Sequence, residues 1–117
     1  MQKQKRTPGK IEKASEDRFE LVLTVVNRGF SSEVMEAATK SGATGGTMLN
    51  ARGTYKEVKT ILGMKIEPEK EVVLIVVNKQ IAKEVIEEIY KRCGLSTPGA
   101  GICFALPISQ ITGLRFK

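Results

Sequence analysis

The chain has 117 residues, 41% of them hydrophobic, and a formal net charge of +6, which suits a single domain with a sizeable core. It contains no histidine and only one aspartate, Asp17, so a zinc site, a Ser-His-Asp triad and a carboxylate-rich magnesium site are excluded. Any acid–base pair would have to consist of Glu and Lys. We therefore expect no enzymatic activity and no bound metal.

Residues 1–18 differ in composition from the rest of the chain. They hold six basic against three acidic residues and almost no apolar ones, so we expect a flexible N-terminal tail followed by a folded domain at 19–117. The chain shows neither the apolar segment of a signal peptide nor a run long enough to span a bilayer, which predicts a cytoplasmic protein. Cys93 and Cys103 fit that location as small buried thiols.

A repeat dominates the folded part. Residues 20–27 (ELVLTVVN) and 71–78 (EVVLIVVN) are identical at six of their eight positions. A helix-like stretch and then a glycine-rich turn follow each copy: GATGG at 42–46 and TPGAG at 97–101. This order predicts two strand–helix–turn–strand units.

The first predicted strand, at 19–27, is apolar on both of its alternating faces, and so is the third, at 72–77. Two helices can cover only one face of a four-stranded sheet, so the other face needs a cover from outside the chain. A homo-oligomer is the simplest source of that cover.

Helical periodicity predicts one helix after each of these strands. The first begins with Ser31 or Ser32 as its N-cap and ends at Gly42. The second follows Asn78, its predicted cap, and its apolar positions repeat at helical spacing over 81–93.

A connection of nearly twenty residues joins the second predicted strand, near 47–52, to the third. Connections of that length in compact domains are usually functional, and the apolar residues of this one suit either a hairpin arm or a mobile loop. The last strand begins near Ile102 and is interrupted at Pro107, which cannot donate to a strand ladder; a second short extended piece follows it.

Glycine-rich turns can hold anions, because without a Cβ the backbone N–H groups approach a ligand closely. Gly99 and Gly101 flank Ala100 immediately before the last strand. Gly42 and Gly94 are better explained as helix C-caps. For 99–101 the pattern leaves both a ligand site and a plain turn open.

Several of these segments together resemble the nitrogen-regulatory PII signal-transduction family, most closely its divergent PII-like branch. They are GATGGTMLNARGT at 42–54, the long insertion before EVVLIVVN, the amphipathic second helix and TPGAGICFALPISQITGL at 97–114. The resemblance implies an α+β, ferredoxin-like βαββαβ sandwich with a four-stranded antiparallel sheet, assembled as a homotrimer. It also implies an effector site in each cleft between subunits, for an adenine nucleotide. The loop from Thr54 to Lys70 would reach a target transporter or enzyme of nitrogen or carbon metabolism.

The resemblance assigns ligand-binding roles to particular residues. It places Thr44 and Gly53 at the nucleotide from one subunit, and the backbone of Gly99, Ala100 and Gly101 at its phosphates from the neighbour. Arg52, Lys56 and Lys59 are the best remaining cations near that site.

The chain departs from the family pattern at the phosphate end. Typical members carry a lysine where this chain has Ile102 and a pair of arginines where it has 112–114. Without these cations the charge-assisted contacts to a triphosphate are lost. We therefore expect AMP, ADP or a cyclic nucleotide to be favoured over ATP.

Other classes of protein share the βαββαβ order. An RNA-recognition domain stacks bases on aromatic residues of its third strand, and EVVLIVVN has none, so we expect no nucleic-acid partner. A ferredoxin-like regulatory module with a different effector, such as an amino acid, stays open as an alternative. A purely structural interaction role is the third possibility.

Overall fold

The structure, a computed structural model, describes residues 12–13, 18–53, 59–62, 64–66 and 68–113. In chain order its elements are β1 (Glu12–Lys13), β2 (Phe19–Asn27), α1 (Ser31–Lys40), β3 (Thr47–Arg52), β4 (Lys59–Ile61), β5 (Met64–Ile66), β6 (Glu69–Asn78), α2 (Lys79–Cys93), β7 (Ile102–Pro107) and β8 (Gln110–Ile111). The main sheet has the order β3-β6-β2-β7, and every neighbouring pair is antiparallel. The predicted α+β, ferredoxin-like βαββαβ sandwich is confirmed.

The two copies of the repeat are the central strands of this sheet. β2 pairs with β6 along its whole length, from Phe19 opposite Asn78 to Asn27 opposite Lys70. The duplication observed in the sequence therefore becomes an approximate twofold relation at the middle of the sheet. The edge strands are β3, which pairs with β6, and β7, which pairs with β2.

Helices α1 and α2 pack on one face of the sheet and enclose the core. The strands contribute fully or nearly fully buried residues at alternate positions, and the helices contribute the residues of their apolar stripes: Val22, Val26, Val73, Ile75, Val77, Val34, Ala37, Ala38, Ala82, Val85, Ile89 and Cys93. Burying one Val or Ile side chain contributes roughly 1.5–3 kcal/mol. Thr24 is a fully buried polar residue on this face, and its hydroxyl donates to Cys103 Sγ at 3.2 Å.

The opposite face of the sheet is apolar, and neither helix covers it. Residues paired across the ladders share a face, so the register assigns to it Leu21, Leu23, Val25, Val72, Leu74, Val76, Leu49, Ile102, Phe104 and Leu106. On β7 the exposed fractions are 57% for Ile102, 43% for Phe104 and 46% for Leu106. We call this surface the open face. It is the second apolar face that the doubled pattern of the strands predicted.

The start of α1 differs from its prediction. The N-cap is Phe30 and not Ser31 or Ser32, and no side chain of the helix itself caps it. The end matches the prediction closely: Gly42 has φ +112°, and the N–H of Ala43 donates to Ala38 O at 3.0 Å in the Schellman arrangement. For α2 the predicted cap is confirmed, because Asn78 Oδ1 accepts the N–H of Gln80 at 2.9 Å.

Two small antiparallel pairs lie outside the main sheet. β4 and β5 form a hairpin inside the long connection. Of the two alternatives expected there, a hairpin arm and a mobile loop, the described residues form the hairpin. β1 pairs with β8, which places Glu12–Lys13 of the N-terminal tail against Gln110–Ile111. The predicted flexibility of the remaining tail concerns residues outside the described part of the chain.

Candidate functional site

The base of the long loop and the second glycine turn meet at Asn27, the last residue of β2. The Asn27 backbone N–H donates to Gly99 O at 2.8 Å, and its side-chain Nδ2 donates to Pro98 O at 2.9 Å. Lys70 Nζ donates to Asn27 Oδ1 at 2.7 Å. A single asparagine therefore links Lys70, at the C-terminal end of the long loop, to the turn that precedes β7.

Gly53 closes the base of the loop from its other side. Its N–H donates to Pro68 O at 2.8 Å, and a Cβ at this position would lie 3.1 Å from Lys70 Cε. The absence of a side chain at Gly53 thus makes room for the lysine to pass. The register assigns Lys70 and Asn27 to the same side of the sheet as Leu23, at the rim of the open face.

The predicted ligand residues do not all meet within one chain. Arg52 and Gly53 lie at the end of β3, beside Lys70. Thr44 lies before the start of β3 and is exposed. At about 3.3 Å per residue, the five steps along β3 separate its ends by roughly 17 Å, so Thr44 and Gly53 mark opposite ends of one sheet edge.

The glycine turn at 99–101 is explained by packing. The N–H of Gly101 donates to Cys93 O at 2.6 Å, and a Cβ there would lie 2.4 Å from the same oxygen. A Cβ on Gly99 would also press on Cys93, at 3.3 Å. The N–H of Ala100 donates to Thr97 O at 2.9 Å. Glycine identity in this turn therefore follows from its contact with the end of α2, and the amides of Ala100 and Gly101 already donate to Thr97 O and Cys93 O.

Sequence reasoning missed Asn27 and Lys70 as site residues. A usable signal exists: antiparallel pairing of the two repeats brings the residue just before the second copy beside the last residue of the first. Of the predicted cations, Lys56 lies outside the described residues and Lys59 begins β4. Lys70 replaces them as the cation that the fold brings to the glycine turn.

Two glutamates of β6 near this cluster contact the turn that follows β2. Arg28 forms an exposed ion pair with Glu69, and its N–H donates to Glu69 O at 3.2 Å. The next acidic residue, Glu71, is buried and accepts the N–H groups of Gly29 and Ser31. Two alternate residues of β6 thus bind the turn after β2, which fixes the turn relative to the base of the loop.

The thiols are not part of the site. Burial raises the pKa of Cys93 and of Cys103, and neither forms a disulfide. Among the described residues there is no group of three or more His, Cys, Asp or Glu side chains able to hold a metal. A shallow groove of about 430 Å³ runs along α2, and its lining contains none of the predicted ligand residues.

A four-stranded antiparallel sheet has two helices on one face and an apolar opposite face, and a long loop is tied at its base to a glycine turn. These features define a protein of the ferredoxin-like class. The family model described as nitrogen regulatory protein P-II matches residues 19–117, and the chain belongs to that family. Its members are signal-transduction regulators that form homotrimers and bind small effectors and target proteins. No protein of curated function matches the chain in sequence.

Solved structures show the same fold. The GlnK–ATP complex of B. subtilis is 23% identical, with a TM-score of 0.62, and the match covers 82% of this chain and 86% of that one. The PII protein of Arabidopsis thaliana bound to citrate is 27% identical, with a TM-score of 0.58 over 80% of this chain and 77% of that one. GlnK of B. subtilis is 22% identical, with a TM-score of 0.58 over 79% and 86%.

Proposed function

We propose that this chain is a PII-like regulator that senses an adenine nucleotide in clefts between the subunits of a homotrimer. It signals through the loop from Thr54 to Lys70 to a target transporter or enzyme of nitrogen or carbon metabolism, acts in the cytoplasm and catalyses no reaction. The observation that carries this proposal is the bonding of Asn27 to both Lys70 and the 98–99 turn. A ligand at this point would act on the loop directly.

The open face supports the trimer. Contiguous apolar surface on a soluble protein usually marks an interface, and the outer residues of β7 are about half exposed. Burying Ile102, Phe104 and Leu106 in an interface would contribute on the order of 1 kcal/mol each, since about half of each side chain is still exposed. The rim of this face carries Lys70 and Asn27, so assembly through the face would bring a second subunit to the site.

The position of β3 supports an extended ligand. As an edge strand it has an unpaired side, with Thr44 before its start and Arg52 and Gly53 at its end. A nucleotide lying along this edge would have its base towards Thr44 and its phosphates towards Gly53 and Lys70. Because Asn27 ties the 98–99 turn of the same chain to Lys70, Gly99, Ala100 and Gly101 would lie at the phosphate end of that subunit's own ligand and not at that of a neighbour.

The number of cations at the phosphate end of the proposed site limits how many phosphates a bound nucleotide can carry. Lys70 and Arg52 are present, while the position that carries a lysine in typical family members is Ile102. AMP, ADP or a cyclic nucleotide therefore suits the site better than ATP. Bound ATP in the B. subtilis relative supports adenine nucleotides as the ligand class.

A carboxylate effector is the second candidate. An ammonium group such as Lys70 Nζ, already donating to an amide oxygen, binds a carboxylate by the same charge-assisted hydrogen bond that it offers to a phosphate. The citrate-bound Arabidopsis relative supports this class, which includes the amino-acid alternative noted above.

Calorimetric titration with AMP, ADP, cyclic AMP, ATP, citrate and a panel of amino acids, at one salt concentration, tests the proposal. We expect AMP, ADP or cyclic AMP to bind at least as tightly as ATP, and Lys70→Met to weaken all of them. Lys83→Met, a change of the same type on the exposed side of α2, should leave binding unchanged. If no adenine nucleotide binds but citrate or an amino acid does, the nucleotide assignment is wrong and the second candidate holds.

A further inference from the structure

Both ends of the Asn27 carboxamide form hydrogen bonds. Nδ2 donates to Pro98 O at 2.9 Å, and Oδ1 accepts from Lys70 Nζ at 2.7 Å. Because a carbonyl oxygen only accepts, Pro98 must face the nitrogen end of the amide, which leaves the oxygen end for the lysine. The backbone N–H of Asn27 is held by the same turn, since it donates to Gly99 O at 2.8 Å. Asn27 therefore presents an acceptor to β6 in a fixed direction.

Lys70 reaches this acceptor along a defined path. It lies directly opposite Asn27 in the β2–β6 register, and both residues are half-buried. A Cβ on Gly53 would lie 3.1 Å from Lys70 Cε and 3.4 Å from its Cγ, so the lysine stem runs over the Gly53 backbone. A lysine side chain loses rotamer entropy when it is held in one position. The contacts with Gly53 and Asn27 order the side chain before a ligand arrives.

The acceptor that holds the lysine is neutral. Aspartate has nearly the same shape as asparagine and would bind the ammonium more strongly, through a charge-assisted hydrogen bond. It would also cancel the positive charge that an anionic ligand requires, and it could not donate to Pro98 O. Asparagine at position 27 holds Lys70 in place and adds no negative charge.

The two glutamates adjacent to Lys70 in the sequence lie on the other face of the sheet. Glu69 pairs with Arg28, and Glu71 accepts two backbone N–H groups of the turn after β2. Successive residues of a strand point to opposite faces, so these carboxylates leave β6 on the side away from the Lys70 ammonium. The strand itself therefore keeps the charge of Lys70 apart from its nearest acidic neighbours in the sequence.

We propose that Asn27 is a positioning residue of the effector site, which orients the Lys70 ammonium towards the anionic group of the ligand without neutralising it. The inference rests on the proposed function, because it requires an anionic ligand at the phosphate end of the site. That anion is a phosphate in a nucleotide and a carboxylate in citrate, and Lys70 binds either by the same charge-assisted hydrogen bond. Since Asn27 also holds the 98–99 turn, one side chain sets the positions of both the cation and the turn.

Calorimetric titration of the full chain with AMP and with citrate tests the role of the neutral amide. Asn27→Asp should lower both affinities at least about tenfold, since the loss corresponds to one charge-assisted contact. Asn27→Ala should lower them less, about three- to fivefold, because Lys70 keeps its charge and loses only its orientation. Unchanged affinity in Asn27→Asp would overturn the proposal.

Asn78→Asp is the matched control for the charge change. Asn78 ends the second copy of the repeat as Asn27 ends the first, and it lies roughly 26 Å from Lys70 along β6. Aspartate caps a helix as well as asparagine does, so α2 should keep its start. AMP and citrate should bind Asn78→Asp as they bind the parent. Equal losses in the two aspartate variants would mean that added negative charge anywhere on the chain weakens binding, which would overturn the specific role of Asn27.

A double-mutant cycle separates positioning from a purely structural effect. In a Lys70→Met background the ammonium is absent, so Asn27→Ala should change the affinity for AMP by less than about twofold. A loss of about three- to fivefold in both backgrounds would show that Asn27 acts through the 98–99 turn alone, and the proposal would be wrong.

A measurement without ligand distinguishes failure of this proposal from failure of the proposed function. In ¹⁵N-labelled protein the Lys70 ammonium, assigned by its loss in Lys70→Met, should exchange with water more slowly in the parent than in Asn27→Ala. Equal exchange would show that other contacts hold the lysine, and it would overturn the proposal even if AMP binds. A parent that binds neither AMP nor citrate would overturn the proposed function and the role of Asn27 together.

Discussion

Glu71 on β6 accepts the backbone N–H of Ser31 at 3.0 Å and thereby caps helix α1 from a neighbouring strand. The same carboxylate oxygen accepts the N–H of Gly29 at 3.1 Å. Glu71 is only 8% exposed, so its charge is stabilised by these donors rather than by water. The contact ties the start of the helix to the strand that leaves the long loop.

Replacing Glu71 with alanine should lower the free energy of unfolding by about 2–3 kcal/mol. The change leaves the Gly29 and Ser31 amides without their acceptor at a partly buried helix start, and each unsatisfied donor costs about 1–3 kcal/mol when water cannot reach it. Urea unfolding at a fixed protein concentration measures the loss. Glu87→Ala on the exposed side of α2 is the matched control and should stay within about 0.5 kcal/mol of the parent. Equal effects of the two substitutions would show that the cap is unimportant.

The same carboxylate should make stability depend on pH in the acid range. Burial raises the pKa of Glu71, but the hydrogen bonds from Ser31 and Gly29 and the charge of Arg28 outweigh burial, so its pKa lies below the ordinary value of 4.5. A carboxyl with a lower pKa in the folded state stabilises the protein fully above 4.5 and loses that contribution as pH falls through its folded pKa.

Glu71→Gln removes this titration while keeping an acceptor oxygen. The urea midpoint of the parent should therefore fall more steeply than that of the variant below about pH 4.5, and the two curves should run parallel above it. Curves that stay parallel over the whole range would mean that another group causes the acid sensitivity.

The difference between the two helix starts explains what could be predicted from sequence. Asn78 caps α2 through its own side chain two residues away, a local relation that residue type and spacing reveal. The cap of α1 comes from Glu71, forty residues further along the chain, and no local pattern contains it. Serine at 31 and 32 is the usual signal for a cap, and tertiary structure overrode it.

The candidate site likewise combines features that the sequence predicts with contacts that depend on the fold. Strand periodicity and the repeat predict the sheet, its two apolar faces and the glycine turns. Lys70 and Asn27 come together only through the strand register, which sets β2 against β6. Glycine at position 101 has two possible explanations in the sequence. Close contact with Cys93 and close approach of an anion to the backbone both require a residue without a Cβ.

A charged residue on the open face should break the proposed trimer. Leu23 lies on this face while its neighbour Val22 is fully buried under the helices, so Leu23→Glu tests assembly and Val22→Glu tests folding. We expect Leu23→Glu to sediment as a monomer or to fail to fold. Phe104→Glu, at an edge strand and 43% exposed, is the milder change and should give a folded monomer. A parent chain that is a stable monomer at micromolar concentration in sedimentation equilibrium would contradict the trimer.

Replacing Ala100 with glycine should make the protein slightly more stable. Its φ is +47°, a left-handed conformation that costs an alanine about 1 kcal/mol and a glycine almost nothing. Because glycine also loses more backbone entropy on folding, we expect Ala100→Gly to raise the free energy of unfolding by only about 0.5 kcal/mol. Ala51→Gly inside β3 is the control and should lower it. A loss of stability in Ala100→Gly would mean that the methyl group makes a contact that outweighs the strain.

The preference for few phosphates depends on Ile102. Its register opposite Val25 assigns it to the open face, on the strand that follows the 99–101 turn. A lysine there would add one charge-assisted contact to a polyphosphate, which contributes about 1.5–3 kcal/mol. Ile102→Lys should therefore raise the affinity for ATP relative to AMP by about tenfold or more.

Calorimetric titration of the parent and Ile102→Lys with AMP, ADP and ATP measures the change in preference. Ile102→Met is the matched control: it keeps an apolar side chain at the interface and should leave the order of affinities unchanged. Sedimentation of each variant verifies that the trimer persists, because a lysine at 102 adds charge to the open face. A parent protein that already prefers ATP by about tenfold would show that Lys70, Arg52 or cations of the loop complete a triphosphate site without position 102.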